Sequence, residues 1–507
     1  MTGFLTIPEL FEATARRSGA KTWLRYEDST YTYAEALDRI VAIGAALGDL
    51  GVERETMVVA TAANSPEYLL AWLAVVRLGA TFVPVNPKSK VGELAGLVGQ
   101  VEPPVVITDA SLRGVVDDAL REATSEARVA LAEELFASPP TAAPPPAARG
   151  GDVAVMIPTS GTTGRSKLVM QTQRAYAMAG DGFPWWMELT EDDRLMTSLP
   201  LFHINAPAYS TLGSVAAGAG LILLPRFSAS TFIDSARKYG ATEFNAIGAM
   251  LEILMRQPER DDDADNPLRL CYTGPAPTKE RQLEIERRFD LKIVSGYALS
   301  ETPYALIWRR GTRPYGTLGS VRQHPTMGEI NEARVMKEGR EVGPGESGEL
   351  ELKNPAVMLG YYNMPEETAK VLVDGWLKTG DLVEVDGDET FTFLGRTKEL
   401  IRRRGENLSP LEVQDALEAH PAVAEAAVIG VPSELSEEEI KAFVVLASAA
   451  GVTMAELRDF VGGKLAPFKV PRYFEVVGDL PHTPTGRISK HELPTERTDN
   501  EEDFDPQ

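Results

Sequence analysis

Short apolar runs alternate with segments of helical period across the first 300 residues. VVATAA at 58–63, TFVPV at 81–85, VVIT at 105–108 and LILL at 221–224 read as strands, separated by stretches long enough for helices. That alternation predicts an α/β architecture with largely parallel sheets. The longest apolar stretch, Tyr68 through Val85, is interrupted by Arg77 and Gly79, which predicts a core helix followed by a buried strand rather than a membrane span. Residues 138–150, SPPTAAPPPAARG, form a connector too rich in proline for a helix or sheet interior. Beyond about residue 320 the pattern shifts to period two. Leu382–Val385 and Thr390–Leu394 read as a hairpin turned by Asp386-Gly387. A helix is predicted from Ser409, with Pro410 in its first turn and Glu412 closing a capping box, and it should end near Pro421. The acidic, apolar-poor tail at 496–507 is expected to be disordered.

A chain of 507 residues exceeds the roughly 250–300 at which single cores stop growing, so more than one domain is expected. The net charge of −23 opposes nonspecific binding to nucleic acid or anionic membranes. One cysteine, Cys271, excludes an intramolecular disulfide, and its apolar surroundings predict a buried thiol. The N-terminal MTGFLTIPELFE lacks a basic region followed by an apolar stretch, so a cytoplasmic location is expected.

Residues 159–167, TSGTTGRSK, follow an apolar strand-like run. Gly161 and Gly164 permit a tight turn whose successive N–H groups form an anion-binding concavity. Thr159, Ser160, Thr162 and Thr163 add hydroxyls, and Arg165 and Lys167 add charge. A polyphosphate suits the loop; on composition alone, so does a plain polar turn. The spacing differs from G-x-x-x-x-G-K-[ST]. A second glycine cluster, GPGESG at 343–348, satisfies G-x-G-x-x-G but leads into the period-two ELEL, so it reads as a loop before a strand.

Further segments follow in order: LPLFHINA at 199–206, GYALSET at 296–302, GWLKTGDL at 375–382, GRTKELIRRRGEN at 395–407 and PTGRISK at 484–490. With TSGTTGRSK they resemble the adenylate-forming superfamily of acyl-CoA synthetases, nonribosomal-peptide adenylation domains and luciferases. EEIKAFVVL and RGENLSP are most similar to crotonobetaine/carnitine-type CoA ligases. The resemblance implies a large N-terminal domain of stacked α/β sheets plus a small β subdomain (1–394). A small mobile α+β C-terminal domain (395–495) would follow, hinged near Lys398, with the active site between the two. It also implies two half-reactions. A carboxylate attacks the α-phosphate of MgATP to give an acyl-adenylate and pyrophosphate, then a second nucleophile, commonly coenzyme A, displaces AMP.

By the same resemblance, Thr159, Ser160, Gly161, Thr162, Thr163, Gly164 and Lys167 take the β- and γ-phosphates. Glu301 holds Mg²⁺, and Ser300 lies near the α-phosphate. Tyr297 faces adenine, with Gly274, Pro275 and Ala276 as the adenine-side loop. Asp381 accepts hydrogen bonds from the ribose hydroxyls with Arg396 beside it. His203 orients the carboxylate or gates the acyl pocket, which also draws on Ile204, Asn205, Gly248, Ala249 and the stretch after Gly296. Trp185 and Trp186 either join that pocket or simply pack. Arg402, Arg403 and Arg404 form a cationic cluster suited to coenzyme A phosphates or to a solvated turn.

The chain departs from the pattern at four places. The usual C-terminal Gly-Lys is Gly486-Arg487, so either Arg487 or Lys490 supplies the catalytic cation; the compact ammonium of Lys490 is the preferred candidate. Ser166-Lys167-Leu168 replaces Pro-Lys-Gly, Gln173 stands where a histidine is common, and Arg404-Gly405 replaces the Gly-Gly pair of the pantetheine tunnel. Nothing at 202–206 supplies the aspartate that holds an amino acid's α-amino group. The leading expectation is an acid–thiol ligase. The alternatives are adenylation with another acceptor (a carrier-protein thiol, an amine or a small nucleophile such as nitrite) and a nucleotide-binding relative without catalysis.

Overall fold

The computed structural model describes residues 6–141, 145–159, 166–274, 277–403, 406–432, 438–447, 451–483, 488–498 and 500–504. The chain forms two compact units, Met1–Ala333 with Leu352–Lys378, and Arg334–Glu351 with Thr379–Gln507.

Two mainly parallel sheets organise the first unit. One runs in the order Arg128–Leu131, Val105–Thr108, Met57–Thr61, Thr81–Pro84 and Val153–Thr159, all parallel, and ends on the antiparallel Lys167–Thr172. The other has a parallel centre of Lys292–Leu299, Leu270–Thr273, Glu243–Asn245, Arg194–Thr197, Gly220–Leu223 and Thr22–Tyr26, with antiparallel strands at both edges. The apolar runs predicted as strands fall in these centres because strands covered on both faces have no polar side to show. The stretch from Tyr68 is the buried helix Pro66–Arg77 followed by the strand Thr81–Pro84. Cys271 is fully buried within Leu270–Thr273, and burial pushes its thiol pKa well up. Gln173, also fully buried, accepts from Ile7 N at 3.1 Å and donates to Val76 O at 2.8 Å, so it ties the N-terminal helix to the core.

In the second unit, residues 381–385 at the end of the strand Trp376–Val385 pair antiparallel with Phe391–Arg396, the predicted hairpin. The later part carries a sheet ordered Val423–Pro432, Glu438–Leu446, Tyr473–Val476 and Glu501–Asp503, with the helices Pro410–Glu418 and Met454–Gly462. Two expectations need correction here. Ser409 does cap its helix, accepting from Leu411 N at 3.2 Å, but Glu412 is drawn away from a capping box by Lys469, 2.6 Å from its carboxylate. The tail expected to be disordered supplies the strand Glu501–Asp503, antiparallel to Tyr473–Val476. Lys441 explains this: it is buried, and its ammonium meets Glu501 at 2.7 Å and Glu475 at 3.1 Å. A buried ammonium demands carboxylates, so the tail's acidity serves a partner rather than solvent.

Candidate active site

The apolar strand Val153–Thr159 delivers the chain to the Gly-rich loop, and Lys167–Thr172 returns antiparallel, with Thr159 opposite Lys167. Thr159 Oγ1 donates to Lys167 O at 3.2 Å. Ser160, Gly161, Thr162, Thr163 and Gly164 lie outside the described residues. Lys167 Nζ stands 2.6 Å from Glu367 and 4.9 Å from the centroid of the Tyr361 ring. Tyr361 Oη in turn donates to Glu301 Oε1 at 2.9 Å. Two predicted residues far apart in sequence, Lys167 and Glu301, therefore flank one tyrosine.

Backbone bonds fix that arrangement. Glu301 sits in the turn between the antiparallel strands Lys292–Leu299 and Thr302–Ile307. Its carbonyl accepts from Met358 N at 2.8 Å, and the Ser300 carbonyl accepts from Gln171 Nε2 at 2.7 Å. Tyr361 N donates to Thr368 Oγ1 at 2.9 Å, which ties the segment to the helix that carries Glu367. Lys167 first, then Lys370, hold the Glu367 carboxyl down to about 2, so Lys167 keeps an ionised partner across the physiological range. Glu301 offers the hard oxygen donor that Mg²⁺ prefers, so this residue fits such an ion.

Two glycines set the neighbouring wall. A Cβ on Gly274 would collide with the Gly296 carbonyl, and one on Gly296 would lie 2.6 Å from Tyr272 Oη. Only glycine allows the two backbones to approach so closely. Tyr297 and Ser300 follow Gly296, both partly exposed, while Pro275 and Ala276 lie outside the described residues. His203, Ile204 and Asn205 are partly exposed; the His203 ring centroid lies 4.4 Å from that of Phe202, and Asn205 Oδ1 accepts from Asn245 Nδ2 at 2.6 Å. Gly248 and Ala249 begin the helix Gly248–Met255. Of the tryptophan pair, Trp185 is exposed, whereas Trp186 is buried against Tyr304 with centroids 5.0 Å apart.

In the second unit, Asp381 is buried opposite Arg396 in the strand pair, with Arg396 Nε 3.1 Å from Asp381 Oδ1. Gly380 takes φ +71 and donates to Glu349 Oε1 at 3.0 Å, while Asp381 N donates to Thr379 Oγ1 at 3.1 Å. These bonds shape the Thr-Gly-Asp turn. Lys398 lies in the short 3-10 turn Thr397–Glu399. Lys490 opens another such turn, 3.5 Å from Glu399, and burial lowers its pKa against the pull of that carboxylate. Arg487, Arg404 and Gly405 lie outside the described residues. Arg403 is buried in an ion pair with Glu439 at 2.6 Å and donates to the carbonyls of Phe468 and Val470, so it serves the fold and not an exposed cationic cluster.

Sequence reasoning missed Tyr361 and Glu367. Both lie in LGYYNMPEET, whose glycine, aromatic pair and adjacent carboxylates were the available signal.

Comparison with known proteins identifies the family. The AMP-binding enzyme family matches residues 11–362, and the AMP-binding enzyme C-terminal domain matches residues 412–487. The chain belongs to the AMP-binding enzyme family. Among its relatives is the crotonobetaine/carnitine–CoA ligase of Salmonella agona (strain SL483), 29% identical over 97% of this chain and 99% of that protein. ATP-bound MatB from Rhodopseudomonas palustris superposes with a TM-score of 0.87 at 28% identity, covering 95% of this chain and 97% of its own. The o-succinylbenzoate–CoA synthetase MenE from Bacillus subtilis, solved with ATP and magnesium ion, gives 0.84 at 27% identity over 96% of this chain and 98% of its own. No helix among the described residues is long and apolar enough to cross a membrane.

Proposed function

We propose that this protein is an AMP-forming acid–thiol ligase that activates a carboxylic acid with MgATP and transfers the acyl group to coenzyme A. The observation that carries this reading is Tyr361 joining the loop lysine Lys167 to Glu301, since adenylation needs a phosphate cation and a hard metal ligand side by side. The near full-length likeness to CoA ligases supports the thiol acceptor.

Thr159 through Gly164 and Lys167 bind the β- and γ-phosphates, with Lys167 exchanging Glu367 for phosphate. Glu301 holds Mg²⁺, which when bound offsets charge on the phosphates. Tyr361 fixes the Glu301 carboxylate so that it need not reorganise. Ser300 lies by the α-phosphate, Tyr297 and the loop Gly274, Pro275 and Ala276 take adenine, and Asp381 with Arg396 takes the ribose. His203 orients the acid's carboxylate. Either Lys490 or Arg487 places positive charge between the attacking carboxylate and the α-phosphate. The hinge proposed at Lys398 lets the residues after it reorient between half-reactions. The enzyme is proposed to act in the cytoplasm.

The test is Mg²⁺- and ATP-dependent pyrophosphate release across a panel of carboxylic acids, with and without coenzyme A. The proposal expects release for one acid class with acyl-CoA seen by mass. Release that ignores coenzyme A would transfer the reading to another acceptor, and silence across the panel would refute it. Adenylation rates of Lys490→Ala and Arg487→Ala separate the two cations; equal, mild losses would dismiss both.

A further inference from the structure

Arg322 follows the edge strand Ser320–Val321 and is 0% exposed. Its guanidinium carbon lies 5.0 Å from the ring centroid of Trp186, 5.2 Å from Tyr209, and 5.8 Å from both Tyr272 and Tyr304. Nη2 donates to Tyr272 Oη at 2.8 Å and to Leu306 O at 3.3 Å. Nε and Nη1 have no acceptor among the described residues, and the adjoining Tyr304 Oη is equally buried and unpartnered. The neighbours of the guanidinium are aromatic rings, and no described carboxylate forms an ion pair with it.

Burying a cation costs heavily unless an anion and hydrogen bonds compensate it. Aromatic faces return only part of that cost. Arg322 is thus compensated on its faces and at Nη2 but has no anionic partner among the described residues. Its position says what the partner is. A Cβ on Gly296 would lie 2.9 Å from Arg322 Nη2, so the guanidinium stands directly behind the residue that opens GYALSET. Tyr209 belongs to the helical segment Ala206–Thr211 that continues from His203, Ile204 and Asn205. Both segments are those assigned above to the acyl group.

We infer that Arg322 is a specificity-determining residue: the acid this enzyme accepts carries a second anionic oxygen, remote from the carboxyl that is activated, and that oxygen pairs with the guanidinium. The aromatic rings favour a flat or short acid in this setting. An acid with an apolar far end leaves the cation unpaired and is rejected, because a buried polar group without its partner penalises the analogue that lacks it. This inference rests on the ligase reading of the same site.

The experiment compares matched acids, benzoate with benzene-1,3-dicarboxylate and butanoate with butanedioate, on the wild type, Arg322→Met and Arg322→Lys. Two readouts are taken: acid-dependent pyrophosphate release, and thermal stabilisation by acid in the absence of ATP. The wild type should favour a diacid over its monoacid by at least about tenfold in kcat/KM. Arg322→Met should abolish that ratio while keeping or improving the monoacid, and Arg322→Lys should retain part of it. A ratio near unity in the wild type, or a parallel loss for both acids in Arg322→Met, overturns the inference. The two claims fail separately. Selective stabilisation by diacids without turnover keeps Arg322 as the determinant and removes the ligase, whereas turnover with equal use of both acids does the reverse. If Arg322→Met does not fold, Arg322→Lys still decides, since a compact ammonium in place of the fork must change the diacid-to-monoacid ratio if Arg322 touches the substrate.

Discussion

Tyr361 shows what one residue adds to a site assembled from distant parts of the chain. Its ring lies under Lys167 and its hydroxyl bonds to Glu301. Removing only that hydroxyl in Tyr361→Phe deletes a hydrogen bond to a charged group, an interaction of about 1.5–3 kcal/mol, so adenylation should slow by about tenfold or more while folding is retained. Pyrophosphate release at saturating ATP reads this directly; an unchanged rate would remove Tyr361 from the site. Lys490 allows a second test at this scale. Burial lowers its pKa, so if its charge is needed, the alkaline limb of adenylation falls below the ordinary lysine range. Lys490→Arg should move that limb upward. Lys167 and Glu301 were legible because each stands in a dense motif, TSGTTGRSK or GYALSET. Tyr361 and Glu367 were not, because their partners lie 60 and 200 residues away and no local pattern records such a meeting.

Among elements, the close passage of two strand ends is a constraint sensitive to substitution. Gly296→Ala would press a methyl against Tyr272 Oη and Arg322 Nη2, at 2.6 and 2.9 Å, and such overpacking typically costs about 1–3 kcal/mol. A lowered midpoint in chemical denaturation, with reduced adenylation, is the expected outcome. In the second unit, His482 lies 2.8 Å from Glu425. Burial opposes the imidazolium, yet the Glu425 hydrogen bond and charge leave the His482 pKa raised. Its stabilisation is therefore fully present below the ordinary histidine pKa of about 6.5 and is lost as pH rises through the raised value. Thermal unfolding from about pH 6 to pH 8 should reveal that loss, and His482→Gln should flatten it. Strand runs were legible here because their apolar pattern is continuous. The tail strand was not, since Glu501–Asp503 is acidic throughout and its reason to pair lies in the cations it meets, the buried Lys441 together with Arg472 and Arg497.

At the scale of the whole molecule, six motifs in fixed order carried the fold class and the reaction, and the described units bear out the α/β architecture. Composition carried far less. The net charge of −23 opposes some partners without naming one, and it conceals buried cations such as Arg322, Arg403 and Lys441, which the fold surrounds individually. The acid remained illegible because pocket selectivity depends on which side chains meet inside, and Arg322 lies in GSVRQH, outside every motif that the sequence singled out. The central claim is that Lys167, Tyr361 and Glu301 form the phosphate and metal end of an adenylating site. Its most direct test is acid-dependent pyrophosphate release with MgATP, measured for the wild type beside Glu301→Gln. The account predicts release that requires both acid and Mg²⁺ and falls by about a hundredfold or more in Glu301→Gln, on the scale of removing an electrostatic group from a preorganised site. Release that persists in Glu301→Gln, or that needs no acid, would contradict it.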